Sequence, residues 1–314
     1  MSEAGFKTAF APASVGNVGV GFDMLGLAIA GVGDRVSARR ISTPGVAIAE
    51  VRGPDGEVHP YLSSKADENT ASIAAKSLWD ALGSKTGIEL IVHKGIPLQS
   101  GMGSSAASAV AAVVAVNALL DEPLDRTALL VHALAGEKFA SGGEHADNVA
   151  PSLFGGLVLC PPVLLPRVVS LPVPAGVSSV VVHPNLQVNT ADSRKSLARG
   201  YAMQQWLTQQ GYLAGFVAAC AANDIDLLGQ CLRDEVIEPQ RAASVPCFGA
   251  AKEAAMKAGA LGCSLSGSGP SIFALCRDGR AANIATAMEQ ACRLAGYQCE
   301  SWISPLDAAG ATVE

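Results

Sequence analysis

The run of small residues between positions 97 and 120 constrains this chain more than any other stretch. It reads Pro97-Leu98-Gln99-Ser100-Gly101-Met102-Gly103-Ser104-Ser105-Ala106-Ala107 and continues as an Ala/Val run to Leu120. Ahead of it, residues 88–93 alternate as a strand does. The order is strand, Gly/Ser loop, helix. Gly101 and Gly103 let the backbone turn and approach a ligand closely. The serines offer hydroxyls, and the first helical turn offers N–H groups with no partner inside the helix. The helix dipole adds attraction for negative charge, so a phosphate is the natural guest. An ordinary helix capped by Ser104 or Ser105 fits the same letters, and this stretch alone leaves both readings open.

A chain of 314 residues suggests about two domains. Hydrophobic residues at 49% against charged residues at 16% describe a folded globule with a large core. The net charge of −6 argues against nucleic acid as a partner, because a phosphate backbone needs a basic face. An anionic substrate must then be held by local groups. The eight cysteines form no CxxC pair and read as buried free thiols of a reducing compartment. No signal segment opens the chain, and the longest apolar run is too short for a bilayer. A soluble cytoplasmic protein without membrane contact is expected.

Along the chain, residues 7–12 read as a short strand, and the glycines of residues 13–23 interrupt regular structure. Asn17 and Asp23 stand in that segment as candidate ligands for polar groups, or as parts of a simple turn. Residues 34–49 read as an exposed strand edge, and Asp67 as the cap of a helix over 71–79. A further helix over 124–139 ends at Gly142-Gly143, and the polar residues 144–148 look like a site loop. Residues 151–165 read as a buried strand, and the prolines that follow place a domain boundary near 166, giving domains 1–166 and 167–314. The second half reads as strand, helix, helix, strand, helix, strand, a small α+β sandwich with helices on one face. It holds a third Gly/Ser loop, Leu265-Ser266-Gly267-Ser268-Gly269-Pro270.

Three Gly-rich segments carrying hydroxyl or amide side chains suggest one cleft built from both halves. GxGxxG and GxxxxGK[ST] are both absent. Residues 97–107, as P-x-x-x-G-x-G-S-S-A-A, are similar to the second motif of the GHMP small-molecule kinases, and residues 265–270 to the third. Residues 11–23 resemble the first motif in the form found in homoserine kinases. His145-Ala146-Asp147-Asn148 and Glu238-Pro239-Gln240-Arg241 are similar to the same branch. The resemblance spans residues 7 to about 305.

The resemblance implies an α+β fold of two domains: an N-terminal domain like the second domain of ribosomal protein S5, and a ferredoxin-like C-terminal domain. It implies ATP-dependent phosphorylation of the side-chain hydroxyl of L-homoserine, a step toward threonine. Pro97, Ser100, Gly101, Met102, Gly103, Ser104 and Ser105 would wrap ATP, with Asn69 near adenine. Ser105 and Glu137 would hold Mg²⁺, which takes a few hard oxygen ligands beside phosphate and water. Asn17 and Asp23 would hold the reacting end of homoserine. Arg194 and Arg241 would grip its carboxylate, with Thr190 and His145 nearby and a backbone contact from Gly267. Asp147 stands where some relatives place a base, but phosphoryl transfer depends more on positioning and charge neutralisation. Homodimers are common in the family. Two other readings fit the motifs: a kinase of another small alcohol such as mevalonate, and a non-catalytic amino-acid or nucleotide sensor.

Overall fold

The computed structural model describes residues 5–198 and 200–314. The first half runs β1 (Lys7–Gly16), β2 (Leu25–Ile41), β3 (Gly45–Arg52), α1 (Thr70–Ala81), β4 (Gly87–His93), α2 (Ser104–Asn117), α3 (Arg126–Ser141), α4 (Ala146–Phe154), β5 (Leu157–Leu159) and β6 (Val169–Ser170). The second runs β7 (Val177–Pro184), α5 (Thr190–Lys195), α6 (Met203–Ala222), α7 (Ile225–Cys231), α8 (Glu238–Arg241), α9 (Phe248–Lys257), β8 (Gly262–Leu265), β9 (Ile272–Arg277), α10 (Ala281–Leu294), β10 (Cys299–Pro305) and β11 (Thr312–Val313).

The first sheet has the order β11-β1-β2-β4-β3, with β5 beside the start of β2 and β6 beyond it. Its pairs are antiparallel except β3 with β4. β2 is long enough to pair with the whole of β1, and a register shift at Pro12/Ala13 absorbs the mismatch in twist. Residues 34–38 therefore lie inside the sheet between β1 and β4, not at an exposed edge, and residues 39–41 run on beside β4 alone. Arg39 and Arg40 are accommodated there because Arg39 pairs with Glu89 and stacks on Phe6, and Arg40 lies over Trp79.

α2 is the buried spine of this half. It has no polar stripe, and its Ala and Val residues are wrapped by α1, α3 and the sheet. The helix expected over 71–79 is α1, but its cap is Asn69, not Asp67: the Asn69 side chain accepts from the Ala71 N–H at 3.0 Å. Residues 151–165 are not one strand. Pro151 lies within α4, and only Leu157–Leu159 pairs with β2. The expected site loop at 144–148 is the entry to α4, with His145 at its cap position and Asp147 and Asn148 in its first turn.

The second sheet is antiparallel with order β10-β7-β9-β8. α9 and α10 cover one face, on Val180, Val182, Ile272 and Ala274. The other face, with Val181, Phe273 and Leu275, belongs to the large core that also holds Phe216 of α6 and Leu228 of α7. Helices on one face alone were expected; burial on both faces explains why these strands read as continuous apolar runs. The sheets do not change over at residue 166, since β6 still pairs with β5, and β11 returns to pair with β1. Among the described residues no helix is long and apolar enough to cross a membrane. The eight cysteines are free, seven of them buried.

Candidate active site

The Gly/Ser loop delivers α2 to the floor of a cleft of about 600 Å³ that is lined from both halves of the chain. Gly103 stands at the helix cap with φ 69° and no side-chain cap bond. The reading of an ordinary capped helix thus fails: Ser104 and Ser105 are the first two helical residues, and the opening N–H groups face the cleft without a capping side chain. Gly101, at φ 76°, lies so close to the third Gly/Ser loop that a Cβ would meet the carbonyl oxygens of Ser266 and Gly269 at 2.5 Å. Two bonds fix that contact. Ser271 N–H donates to Ser100 O at 3.0 Å, and Ser266 Oγ to Gly101 O at 2.7 Å.

A buried ion pair sits beneath this loop. Lys94 Nζ pairs with the carboxylate of Asp34 and donates to Ser104 O at 2.9 Å and Ser108 Oγ at 2.7 Å. Asp34 also accepts from the N–H groups of Gly95 and Ile96, at 2.9 and 3.1 Å. One carboxylate so joins β2, the exit of β4 and the start of α2.

On the opposite wall, the turn after β1 holds Asn17, Val18 and Gly19 at φ 67°, 45° and 65°, a run of left-handed residues that is costly for a β-branched valine. Asp23, also left-handed at φ 56°, makes a two-pronged pair with Arg194 at 2.6 and 2.9 Å. His145 Nδ1 is 3.7 Å from the same carboxylate. Arg241 is 3% exposed; its Nη1 donates to Gly267 O at 2.8 Å, while its Nε is buried with no partner. Asn17 accepts from Asp23 N–H at 3.0 Å and donates to Gly267 O at 3.1 Å. Gly267 N–H donates to Gly16 O at 3.1 Å, so the expected backbone contact from Gly267 to a ligand finds both its polar groups already used. Thr190 is not the cap of α5; Asn189 is, and Thr190 Oγ1 lies 3.3 Å from Ser268 Oγ.

Two acids join the walls. Glu137 on α3 is buried, accepts from Ser105 Oγ at 3.2 Å and has no ion pair among the described residues. Burial pushes its carboxyl up to about 7. Asp147 is also buried, and burial followed by the charge of Asp23 pushes it up to about 7. One of its oxygens accepts from the Asn17 N–H at 3.1 Å. Burial lowers His145, and the hydrogen bonds with Asp23 raise Arg194. Chemically, the cleft offers an anion site at an uncapped helix, beside a site of mixed charge that matches a zwitterion.

Comparison with known proteins decides the family. The GHMP kinases N terminal domain model matches residues 69–156, and the GHMP kinases C terminal model matches 216–294. Homoserine kinase from Xylella fastidiosa is 46% identical over 96% of this chain and 92% of its own. Homoserine kinase from Chlorobaculum tepidum is 38% identical over 98% and 97%. The chain belongs to the GHMP kinase family. A crystal structure of homoserine kinase from Cytophaga hutchinsonii superposes with a TM-score of 0.93 at 41% identity, over 100% of this chain and 99% of that one.

Most residues singled out by the GHMP motifs line one cleft. Ser100, Gly101, Gly103, Ser104, Ser105 and Asn69 line it. Asn17, Asp23, Glu137, His145, Asp147, Thr190, Arg194, Arg241 and Gly267 line it too, and Gly267 comes close to Gly101. Pro97 and Met102 are outside the lining: Met102 is fully buried in the core, where it anchors the loop that the GHMP motif defines. The sequence reading missed Asp34 and Lys94.

Proposed function

We infer that this GHMP kinase transfers the γ-phosphoryl group of ATP to the side-chain hydroxyl of L-homoserine, giving O-phospho-L-homoserine and ADP, a step toward threonine. The observation that carries this reading is the pairing of Asp23 with Arg194, beside Arg241 and its unpartnered Nε, in the same cleft as the uncapped start of α2. A zwitterionic amino acid complements that charge pattern. Its ammonium group goes to Asp23, and its carboxylate to the donors of Arg194 and Arg241.

The triphosphate lies along residues 100–105 with its negative charge on the open N–H groups of α2, and the base lies toward Asn69. Asn69 spends its Oδ1 as a helix cap and one amide hydrogen on Ser63 O, which leaves a single hydrogen for adenine. Ser105 and Glu137 fit Mg²⁺: a hydroxyl and a buried carboxylate with no ion pair among the described residues would supply two hard oxygens, beside phosphate and water oxygens. Bound there, Mg²⁺ neutralises phosphate charge. Asp23 and the arginines fix the substrate so that its hydroxyl faces the γ-phosphorus; the new O–P bond forms as the bond to ADP breaks, and the hydroxyl proton passes to an oxygen of the transferred phosphoryl group and from there to water. Positioning carries the rate. Asp147, with one oxygen bound to the Asn17 N–H, holds the turn that carries Asp23 and does not take the hydroxyl proton. Free thiols suit a reducing cytoplasm.

An ADP-release assay over a panel of alcohols, with the product read by ³¹P NMR, tests this function. Turnover with L-homoserine and none with mevalonate or galactose is expected. The reverse pattern would move the chain to another branch, and binding of ATP and homoserine without product would make it a sensor.

A further inference from the structure

Arg194 comes from α5 and Arg241 from α8, yet both guanidinium groups end in one small volume. They repel each other: after burial, the charge of Arg194 is the next cause that lowers Arg241. Asp23 pairs with Arg194, while Arg241 donates to the carbonyl of Gly267 and forms no ion pair among the described residues. The charges of Asp23, Asp147 and Asp234 favour Arg241, but none of them is in contact to fix its position beside Arg194.

Phe22 lies against both of them. Its ring centroid lies 5.2 Å from Cζ of Arg194 and 5.2 Å from Cζ of Arg241. At that range a guanidinium is attracted by the negative face of an aromatic ring. The contact does not compete with hydrogen bonding, because guanidinium donors point outward in the plane while stacking uses its face. Consecutive residues thus hold Arg194 in two ways, Phe22 on its face and Asp23 at its edge. The left-handed backbone at Asp23, φ 56°, aims that side chain apart from its neighbour.

We propose that Phe22 is the positioning residue of the carboxylate clamp: its ring holds the guanidiniums of Arg194 and Arg241 at a set separation and leaves the Nε of Arg241 free for the substrate carboxylate. The proposal rests on the reading that these arginines take the carboxylate of the amino-acid substrate. Phe22 is not among the residues that line the cleft, so its effect falls on the two arginines and through them on recognition of the carboxylate.

The experiment compares the wild type with Phe22→Leu, Phe22→Tyr and Phe22→Trp. For each it measures KM for L-homoserine, KM for ATP, kcat, and inhibition by the amino alcohol in which the carboxylate of homoserine is replaced by a hydroxymethyl group. Leucine keeps an apolar side chain and loses the ring face; tyrosine and tryptophan keep it. For Phe22→Leu the KM for L-homoserine is expected to rise about 10- to 30-fold, the upper figure matching the loss of one desolvated cation–π contact. KM for ATP and inhibition by the amino alcohol are expected to stay within about twofold, and the aromatic variants to recover most of the loss. The proposal is overturned if Phe22→Leu binds L-homoserine as the wild type does, or if affinity for the amino alcohol falls equally, which would mark Phe22 as packing for the whole turn. If Phe22→Leu fails to fold, the aromatic pair decides: a tenfold rise in KM for both would overturn the proposal. A wild type with no turnover on L-homoserine would instead defeat the assigned function.

Discussion

At the residue scale, the two buried acids of the cleft govern pH behaviour. Glu137 and Asp147 both titrate near 7, raised from ordinary values of 4.5 and 3.8. A raised carboxyl contributes stability that is complete below its unfolded value and is lost as pH rises through the folded one. The free protein should therefore lose stability between about pH 5 and 7 from these groups, readable as a falling melting temperature. On the proposed role of Glu137 as a Mg²⁺ ligand, which would need its ionised form, Mg²⁺-dependent ATP affinity should strengthen up to about tenfold per pH unit below about 7 and level off above it. Glu137→Gln should flatten that dependence. Even outer-shell partners of a metal are worth about 10–100-fold in affinity, so the loss should reach that range. Asp147 gives a different outcome. Asp147→Asn keeps an acceptor for the Asn17 N–H, so kcat should fall by less than about 10²-fold; a loss above about 10³-fold would identify a general base.

At the element scale, the junction of β2, β4 and α2 depends on Asp34 and Lys94. Asp34 is fully buried and accepts bonds from four groups: Lys94 Nζ, Ser108 Oγ and the N–H groups of Gly95 and Ile96. Removing one partner of a buried pair leaves the other charge uncompensated, at a cost of about 3–5 kcal/mol. Asp34→Ala should lower the urea unfolding free energy by that amount, and a change below about 1 kcal/mol would show that water or a rearranged Lys94 restores the balance. This junction was not legible in the sequence, because Asp34 and Lys94 lie on different strands and only the register of β2 on β4 brings them together. α2 was legible, since an Ala/Val run after a Gly/Ser loop has no polar face to present to water. Its missing cap was not: Ser104 and Ser105 are both good capping residues, and only the left-handed Gly103 moves the cap position ahead of them.

At the scale of the whole molecule, the cleft depends on contacts between loops far apart in the chain. Gly267 joins the turn at Asn17 to Arg241, and Ser266 and Ser271 tie the third Gly/Ser loop to Ser100 and Gly101. The motif spacing carried the identities of these segments, and with them the family and the pairing of a phosphate site with an amino-acid site. The placement of individual side chains was less accessible. The sequence assigned Met102 to ATP, and core packing turned its side chain inward; it assigned Gly267 to a ligand, and its neighbours used its backbone groups first. It passed over Phe22 entirely, whose role appears only once α5 and α8 bring two cations to its ring. The sequence by itself determined the loop chemistry and the residue types in the cleft, because glycine, hydroxyl and charge act through local rules. Tertiary structure alone decided which donors remain free, because that depends on neighbours hundreds of residues away that compete for the same hydrogen bonds.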